Sequence, residues 1–223
     1  LRHRIGALYE NQLADIVRAV EAYRDTLAHA PDHAPTLEAL EGIKRGPRDA
    51  LAAALVLEPI YDATGEWKRL VSVLEVQVTH AEDTFGKVDL LHRIARLEEE
   101  MLGDYAAAFA VYARAVSLDV TNEESLSSFE RLAMAVGRWA EVAALYDGEL
   151  SKLREEQPDR FVELGLRLSQ IFETQLEDVD SAIHRYRLVL EVDPENWQAM
   201  SSLDRLLVMT ERWSDLVTVL ARE

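Results

Sequence analysis

The stretch RIARLEEEMLGDYAAAFAVY, residues 93–112, occurs in altered form at two other places in the chain. Residues 4–23 read RIGALYENQLADIVRAVEAY, and residues 167–186 read RLSQIFETQLEDVDSAIHRY. Aligned without gaps, the three segments share an arginine followed by an aliphatic residue, a leucine two residues before an aspartate, a small alanine and a final tyrosine. Such self-similarity predicts a fold that is assembled from repeated units.

A second repeated signature ends in a tryptophan, at Trp67, Trp139 and Trp213. The tyrosine of the first signature precedes this tryptophan by 27 residues in the second and third units but by 44 in the first. The first unit therefore carries a 17-residue insertion between residues 37 and 57. We predict one repeat domain over 1–223, about six repeats in three double units: 1–82, 83–157 and 158–223.

Apolar residues within the units recur with the period of a helix. The spacing of Leu90, Ile94, Leu97 and Met101 is i, i+4, i+7, i+11, which predicts one buried stripe. No segment alternates strictly between apolar and polar residues, so the predicted fold class is all-α. Short polar side chains are predicted to cap the helices, namely Asp15, Asp104, Asp178 and the capping box Thr121-x-x-Glu124.

The insertion has its own predicted breaks. A short helix over about 35–43 is expected to end at Arg45-Gly46-Pro47. A new helix is then predicted with Pro47 in its first turn, where proline is tolerated. Pro59 lies inside that helix and predicts a kink.

These residues resemble the tetratricopeptide repeat (TPR), a helix-turn-helix unit of 34 residues. The alanine and tyrosine of the first signature fall at the small and aromatic positions of the family's second helix, and Pro31 and Pro194 at its proline position. The resemblance covers essentially the whole chain. It implies a right-handed α-solenoid of stacked antiparallel helix pairs with a concave side. Because the pattern continues to both ends, we expect the chain to be an excerpt of a longer protein.

Composition excludes several classes of function. The 223 residues include 24 Lys and Arg against 41 Asp and Glu, a formal net charge of −17, and no cysteine. Nucleic acid is not an expected partner, because such a chain repels phosphate backbones. Disulfides, thiolate metal sites and cysteine nucleophiles are excluded. The longest apolar stretch, 51–57, is too short for membrane insertion.

No catalytic, metal or cofactor site is predicted. His29 and His33 have ligand-like i, i+4 spacing, but Pro31 lies between them and disfavours a shared helix face. The acidic run 98–100 points in several directions on a helix and is interpreted as a solvated face. We therefore expect a protein that is not an enzyme.

The repeated aromatic and arginine residues are interpreted as structural. The tyrosines and tryptophans of the two signatures are predicted to pack in the core, since regular aromatic spacing in a solenoid usually reflects the stack. Arginine also recurs, and it is predicted to bridge to an acidic neighbour across repeats; the positions are Arg4, Arg93 and Arg167.

A candidate binding surface follows from the resemblance, because TPR proteins line their concave side with the first helix of each repeat. The residues that this implies are His92, Arg96, Glu99, Arg131, Gln170, Glu173 and Arg205. Guanidinium groups there would suit bidentate contact with a carboxylate or a phosphorylated side chain. The alternative is that the three arginines pair with Glu99, Glu130 and Asp204 and only neutralise the wall.

The favoured function is a non-enzymatic scaffold that binds a partner protein, as a peptide or a helix, in the concave groove. One alternative is a structural self-association module of a larger protein, with homo-oligomers formed through exposed terminal repeats. Another is an RNA-processing scaffold of the related half-TPR type, which the acidic charge disfavours.

Overall fold

A computed structural model describes residues 1–220, and in them the chain is helical with no strand. The thirteen α-helices of these residues are α1 (Arg2–Asn11), α2 (Ile16–Leu27), α3 (Ala34–Arg45), α4 (Ala50–Thr64), α5 (Trp67–His80), α6 (Thr84–Arg96), α7 (Tyr105–Leu118), α8 (Glu123–Val136), α9 (Trp139–Glu156), α10 (Pro158–Thr174), α11 (Val179–Val192), α12 (Trp197–Met209) and α13 (Trp213–Leu220). A π-helical turn, Leu97–Met101, follows α6. The predicted all-α class is confirmed.

Two compact units divide the chain, Leu1–Asp119 with α1 to α7 and Val120–Glu223 with α8 to α13. The boundary between the two compact units, after Asp119, coincides with neither of the boundaries predicted after residues 82 and 157. The reason is that α5 packs against α6 and α9 against α10, across those predicted boundaries. The threefold division remains a property of the sequence.

Short loops join consecutive helices that pack against each other, such as α1 with α2, α6 with α7 and α10 with α11. We call α1, α4, α6, α8, α10 and α12 the A helices and α2, α5, α7, α9, α11 and α13 the B helices; α3 is additional. The repeated tyrosines lie on B helices, and Tyr23, Tyr112 and Tyr186 are at most 2% exposed. Their predicted core packing is confirmed.

The loops that follow α1, α6 and α10 close with the same pair of backbone hydrogen bonds. In the last of them the Leu176 amide donates to the Ile171 carbonyl at 3.1 Å, and the Asp178 amide donates to the Phe172 carbonyl at 2.8 Å. The equivalent bonds run from Leu13 to Leu8, from Asp15 to Tyr9, from Leu102 to Leu97 and from Asp104 to Glu98. The three predicted aspartate caps are confirmed, because the carboxylates of Asp15, Asp104 and Asp178 each accept a first-turn amide of the next helix.

The insertion supplies the additional helix. α3 agrees with the predicted helix over 35–43, but α4 begins at Ala50 and the prediction that Pro47 opens it was wrong. Residues 46–49 form bends, and Asp49 before α4 adopts a left-handed conformation with φ 56°. Pro59 does lie inside α4. The α4 residue Tyr61 donates to Glu41 of α3 at 2.7 Å, which ties the two helices together.

Three further predictions needed correction. The cap of α8 is Asn122, whose side chain accepts from the Ser125 amide, and not Thr121. Met101 is 50% exposed instead of completing the predicted stripe, because the π-helical turn shifts the helical register after Arg96. The three tryptophans open α5, α9 and α13 as predicted, but none lies in the buried core, because Trp67 and Trp139 are half-buried and Trp213 is 55% exposed.

Candidate functional site

The predicted site residues lie on A helices or directly after one, in both compact units. Unit one holds His92 and Arg96 on α6 and Glu99 in the π-helical turn. Unit two holds Arg131 on α8, Gln170 and Glu173 on α10, and Arg205 on α12. Each unit is described by itself below.

In unit one, His92 does not belong to an accessible surface. It is 4% exposed, and its ring centroid lies 5.4 Å from that of Tyr112. The placement of His92 in a binding stripe was therefore wrong. α6 packs against both α5 and α7, so its buried arc is wider than the single stripe that the spacing predicted.

Arg96 is exposed, and its Nε atom lies 3.4 Å from the main-chain carbonyl of His92, one turn earlier. Among residues 1–220 its guanidinium forms no ion pair, so the predicted alternative of pairing with Glu99 does not hold for Arg96. Glu99 is half-buried and takes part in interactions of its own. The guanidinium of Arg96 is thus exposed at the end of α6.

In unit two, Glu173 and Arg205 come together. The Nη2 atom of Arg205 lies 2.6 Å from Oε1 of Glu173, and the hydroxyl of Tyr186 donates to Oε2 of Glu173 at 3.3 Å. The pKa of Tyr186 is raised by burial, and the negative charge of Glu173 adds to the shift. Arg205 pairs with Glu173 and not with Asp204, the partner expected under the alternative interpretation.

Glu130 is likewise engaged by other residues than Arg131. It accepts from the hydroxyl of Tyr146 at 2.9 Å and from Nη1 of Arg167 at 3.3 Å. Arg167 also pairs with Glu123. Burial lowers the pKa of Arg167, but Glu130 and Glu123 outweigh that effect and raise it. The predicted bridging role of Arg167 is confirmed.

Unit one contains the same kind of bridge, between Arg93 of α6 and Glu58 of α4. Each of these ion pairs joins an A helix to the preceding A helix, α6 to α4, α10 to α8 and α12 to α10. The A helices of unit two are thus linked along one face by Arg167 and Arg205. Three of the predicted site residues lie on these linked helices and are exposed, namely Arg131, Gln170 and Arg205.

Buried phenols anchor the acidic residues of the A helices and of α3. The four hydroxyl-to-carboxylate distances lie between 2.6 and 3.3 Å and belong to the pairs Tyr23–Glu10, Tyr61–Glu41, Tyr146–Glu130 and Tyr186–Glu173. Sequence reasoning missed these contacts. A signal was present, because the tyrosine follows the glutamate by 13 residues in both the first and the third signature segment.

No group of three or more His, Asp or Glu side chains in the described residues is arranged to hold a metal ion. His33 caps α3 while α2 has already ended at Leu27, so His29 and His33 share no helix. Among the same residues, no helix combines the length and the apolar content that crossing a bilayer requires.

No protein-family model matches the chain, and no curated protein matches it significantly. Solved structures do match. MamA is 11% identical over 78% of this chain and 90% of its own, with a TM-score of 0.40. A putative kinesin light chain with nearly identical TPR-like repeats, from Podosopora anserina, is 16% identical over 78% and 93%, with a TM-score of 0.41.

A third similar structure is YrrB, described as a TPR protein with an unusual peptide-binding site. It is 12% identical over 91% of this chain and 98% of its own, with a TM-score of 0.36. The chain is thus an all-α repeat protein in which A and B helices alternate, and its sequence signatures resemble the tetratricopeptide repeat.

Proposed function

We propose that the protein is a non-enzymatic scaffold that binds an acidic peptide segment of a partner protein along its A helices, in the groove that the TPR resemblance implies. The observation that carries the proposal is that the side chain of Arg205 is both held by an ion pair and exposed. Its side chain remains 55% exposed while Glu173, itself 15% exposed, holds it in place. An arginine that is already oriented loses less conformational freedom on binding a ligand.

The neighbouring A helices extend this surface within unit two. Arg131 on α8 and Gln170 on α10 are exposed on the helices that Arg167 and Arg205 link. Arginine donates through a planar fork and the Gln amide both donates and accepts, so the set suits carboxylate or phosphate groups together with peptide carbonyls. Arg96 offers a further guanidinium on unit one.

The acidic residues of the same face would not favour a basic peptide. Glu130 and Glu173 are tied to tyrosine hydroxyls and to arginines, so they are not available to bind a basic peptide without breaking those contacts. The overall charge of −17 repels anions at long range, so we expect binding to need close contact with the arginines and to be selective.

The test uses fluorescein-labelled dodecapeptides that carry two Glu or two phosphoserine residues at varied spacing, with fluorescence anisotropy as the measurement. Arg131→Ala/Arg205→Ala is expected to weaken binding by at least about tenfold, since charge-assisted hydrogen bonds contribute about 1.5–3 kcal/mol each. Arg96→Ala is measured separately to assess unit one. The Glu and phosphoserine arms identify which acidic group is preferred.

A matched control removes the same number of charges elsewhere. Arg18 and Arg45 have side chains that are 64% and 76% exposed and pair only with acidic residues of their own helix or its cap. Arg18→Ala/Arg45→Ala should leave peptide binding unchanged. If both double variants lost the same peptide affinity, binding would depend on net charge alone and not on the proposed surface. If neither variant lost affinity, the proposed surface would be wrong.

A further inference from the structure

A pocket of about 430 Å³ lies between α3, α4 and α5 in unit one. Its volume is within the range of small-molecule sites, roughly 300–1,000 Å³. The charged side chains that line it are four cations and two carboxylates: Lys44, Arg45, Lys68, Arg69, Glu38 and Glu41. This local excess of cations stands out in a chain whose net charge is −17.

The cations belong to the two Lys-Arg dipeptides of the sequence, residues 44–45 and 68–69. These dipeptides contain two of the four lysines in the chain. The first dipeptide ends α3, the additional helix, and the second follows Trp67 in the first turn of α5. The insertion thus supplies half of the cations, and the pocket depends on it.

The second dipeptide departs from the repeat pattern. After the signature tryptophan, residues 68–69 are Lys-Arg, whereas residues 140–141 are Ala-Glu and residues 214–215 are Ser-Asp. An acidic residue in the first turn stabilises a helix, because the amino-terminal end carries partial positive charge. Lys68 and Arg69 place two cations there instead, so helix stability does not explain them. A residue choice that opposes local stability is typical of a functional site.

The first dipeptide contributes a buried cation. The side chain of Lys44 is 5% exposed, and its Nζ atom lies 2.9 Å from Oε2 of Glu41 and 3.0 Å from the hydroxyl oxygen of Ser72. Since an ammonium group has three donors, one remains beyond these two contacts. Ser72 also lines the pocket, and its hydroxyl can donate as well as accept.

The cations of α5 differ in their partners. The Nη1 atom of Arg69 lies 2.7 Å from Oε2 of Glu66, and the guanidinium carbon lies 5.6 Å from the ring centroid of Tyr61. These contacts hold the Arg69 side chain at the pocket. Lys68 is exposed and forms no ion pair among residues 1–220. Its ammonium group is therefore available to a ligand.

The other two charged residues of α3 lie at the edge of the pocket and are not assigned to the ligand. The side chain of Arg45 is 76% exposed, and its Nη2 atom lies 3.6 Å from Glu41. Glu38 is exposed and forms no ion pair among residues 1–220. Its negative charge opposes the binding of an anion, so its removal offers a test in the opposite direction.

We propose that this pocket binds a phosphate monoester, which could be a free small molecule or a phosphorylated side chain. A phosphate group carries a charge of about −1.5 to −2 at pH 7 and has three strong acceptor oxygens. It therefore offers an acceptor to each of Lys44, Lys68 and Arg69, whereas a carboxylate has two oxygens and a single charge. The pocket lies in unit one, and the proposal is independent of the peptide surface on α8, α10 and α12.

The test measures the binding of O-phosphoserine to the 223-residue protein by isothermal titration calorimetry at low ionic strength. Lys68→Ala and Arg69→Ala are each expected to weaken binding by at least about tenfold, since hydrogen bonds between charged groups are strong. Glu38→Gln removes a carboxylate from the pocket and is expected to strengthen binding. Lys152→Ala, at a side chain of unit two that is 69% exposed, is the matched control and should bind like the wild type.

A dodecapeptide with one phosphoserine distinguishes the two sources of the phosphate. It is titrated into Arg131→Ala/Arg205→Ala, so that the peptide surface of unit two does not contribute. Binding that is much tighter than that of O-phosphoserine assigns the pocket to a phosphorylated partner, and equal binding assigns it to a small molecule. This double variant should bind O-phosphoserine like the wild type, and Lys68→Ala should bind the two-Glu peptides unchanged, so either proposal can fail without the other.

Three results would overturn the proposal, provided that circular dichroism melting shows each variant to be folded. The first is that neither O-phosphoserine nor the phosphopeptide binds. The second is an affinity that Lys68→Ala and Arg69→Ala leave unchanged, or that Lys152→Ala lowers equally, because the anion would then bind elsewhere or respond to net charge alone. The third is that L-glutamate, which has a carboxylate in place of the phosphate, binds as tightly as O-phosphoserine.

Discussion

Arg205 of α12 and Glu173 of α10 form an ion pair that joins two A helices, with the Nη2 and Oε1 atoms 2.6 Å apart. The pair is fixed on one side and open on the other, because Tyr186 donates to the second carboxylate oxygen of Glu173 while the Arg205 side chain is 55% exposed. It therefore contributes little to folding but positions a cation at the surface.

The first prediction follows from that exposure. Arg205→Ala should lower the free energy of unfolding by less than about 1 kcal/mol, since ion pairs open to solvent are screened. Urea unfolding followed by circular dichroism measures the change. A loss above about 2 kcal/mol would mean that Arg205 is a structural residue, and any loss of peptide binding in that variant would then reflect damage to the fold.

The second prediction concerns Glu41 of α3, which balances a buried cation. The Nζ atom of Lys44 lies 2.9 Å from Glu41 and 3.0 Å from the Ser72 hydroxyl, and its side chain is 5% exposed. Glu41→Gln should destabilise the protein by about 3 kcal/mol at neutral pH, because it leaves a buried ammonium without its counterion. Glu38→Gln, at an exposed position of the same helix, is the control and should change stability little.

The same glutamate gives a pH dependence with a definite sign. Burial on its own would raise the pKa of Glu41, but hydrogen bonds from Tyr61 and Lys44 and the charges of Lys44 and Arg45 lower it below 4.5. A carboxyl whose pKa is depressed by folding stabilises above its unfolded value and loses that contribution as the pH falls through its folded value. The stability difference between the wild type and Glu41→Gln should therefore shrink below about pH 4.5. A difference that stays constant down to pH 3 would contradict this linkage.

The third prediction concerns alkaline pH. Burial raises the pKa of Tyr23, Tyr61 and Tyr146 well above 10.0, and the glutamates that accept from their hydroxyls raise it further. An acid whose folded pKa is raised stabilises below its unfolded pKa and loses that contribution as the pH rises. The free energy of unfolding should therefore fall above about pH 10, and phenolate absorbance should show a late fraction that appears only with unfolding. Tyr146→Phe should reduce that late fraction; if it does not, Tyr146 ionises while the protein is folded.

The fourth prediction uses a loop position that the three signature segments share. Gly103 has φ 66°, and the equivalent residues Ala14 and Glu177 have φ 51° and 53°. A left-handed conformation costs a residue with a Cβ about 1–2 kcal/mol. Replacing Glu177 with glycine removes this cost, but part of the gain is offset by the greater backbone freedom of glycine in the unfolded chain. Glu177→Gly should therefore raise the free energy of unfolding by about 0.5–1 kcal/mol.

Two controls separate backbone from charge effects in that loop. Glu177→Gln removes the charge but keeps the Cβ, and it should leave thermal stability nearly unchanged. Gly103→Ala imposes the strain where it is absent and should lower stability by a similar amount. If Glu177→Gln stabilised as much as Glu177→Gly, repulsion between acidic side chains would be the cause.

Sequence patterns were sufficient for the fold class, the three aspartate caps and the buried tyrosines because each of these depends on local spacing. The register after Arg96 could not be read in this way, since a π-helical turn adds backbone that no apolar period encodes. His92 was misplaced for a different reason. Whether one or two neighbouring helices cover α6 is a tertiary property, and the spacing of apolar residues on α6 alone does not reveal it.

The partners of the site residues were equally beyond the sequence. Helical proximity suggested Asp204 for Arg205, but the actual acceptor is Glu173, 32 residues earlier on another helix. By contrast, the bridging of Arg93 and Arg167 was predictable, because the same arginine recurs at the same position of the repeat and meets a glutamate of the preceding A helix there. The same bridge was predicted for Arg4, but Arg4 forms no ion pair among residues 1–220.

The loops after α1, α6 and α10 keep the same two backbone hydrogen bonds although their side chains differ, with Ala14, Gly103 and Glu177 at the same point. The backbone geometry of these loops therefore does not depend on the side chains of the loop or on which two helices it connects. We therefore expect that a helix pair that lies between two such loops could be replaced by another without changing the backbone geometry of the loops. The additional helix α3 follows α2 and is not part of any of these three loops. The 17-residue insertion that contains it therefore leaves the geometry of the three loops unchanged.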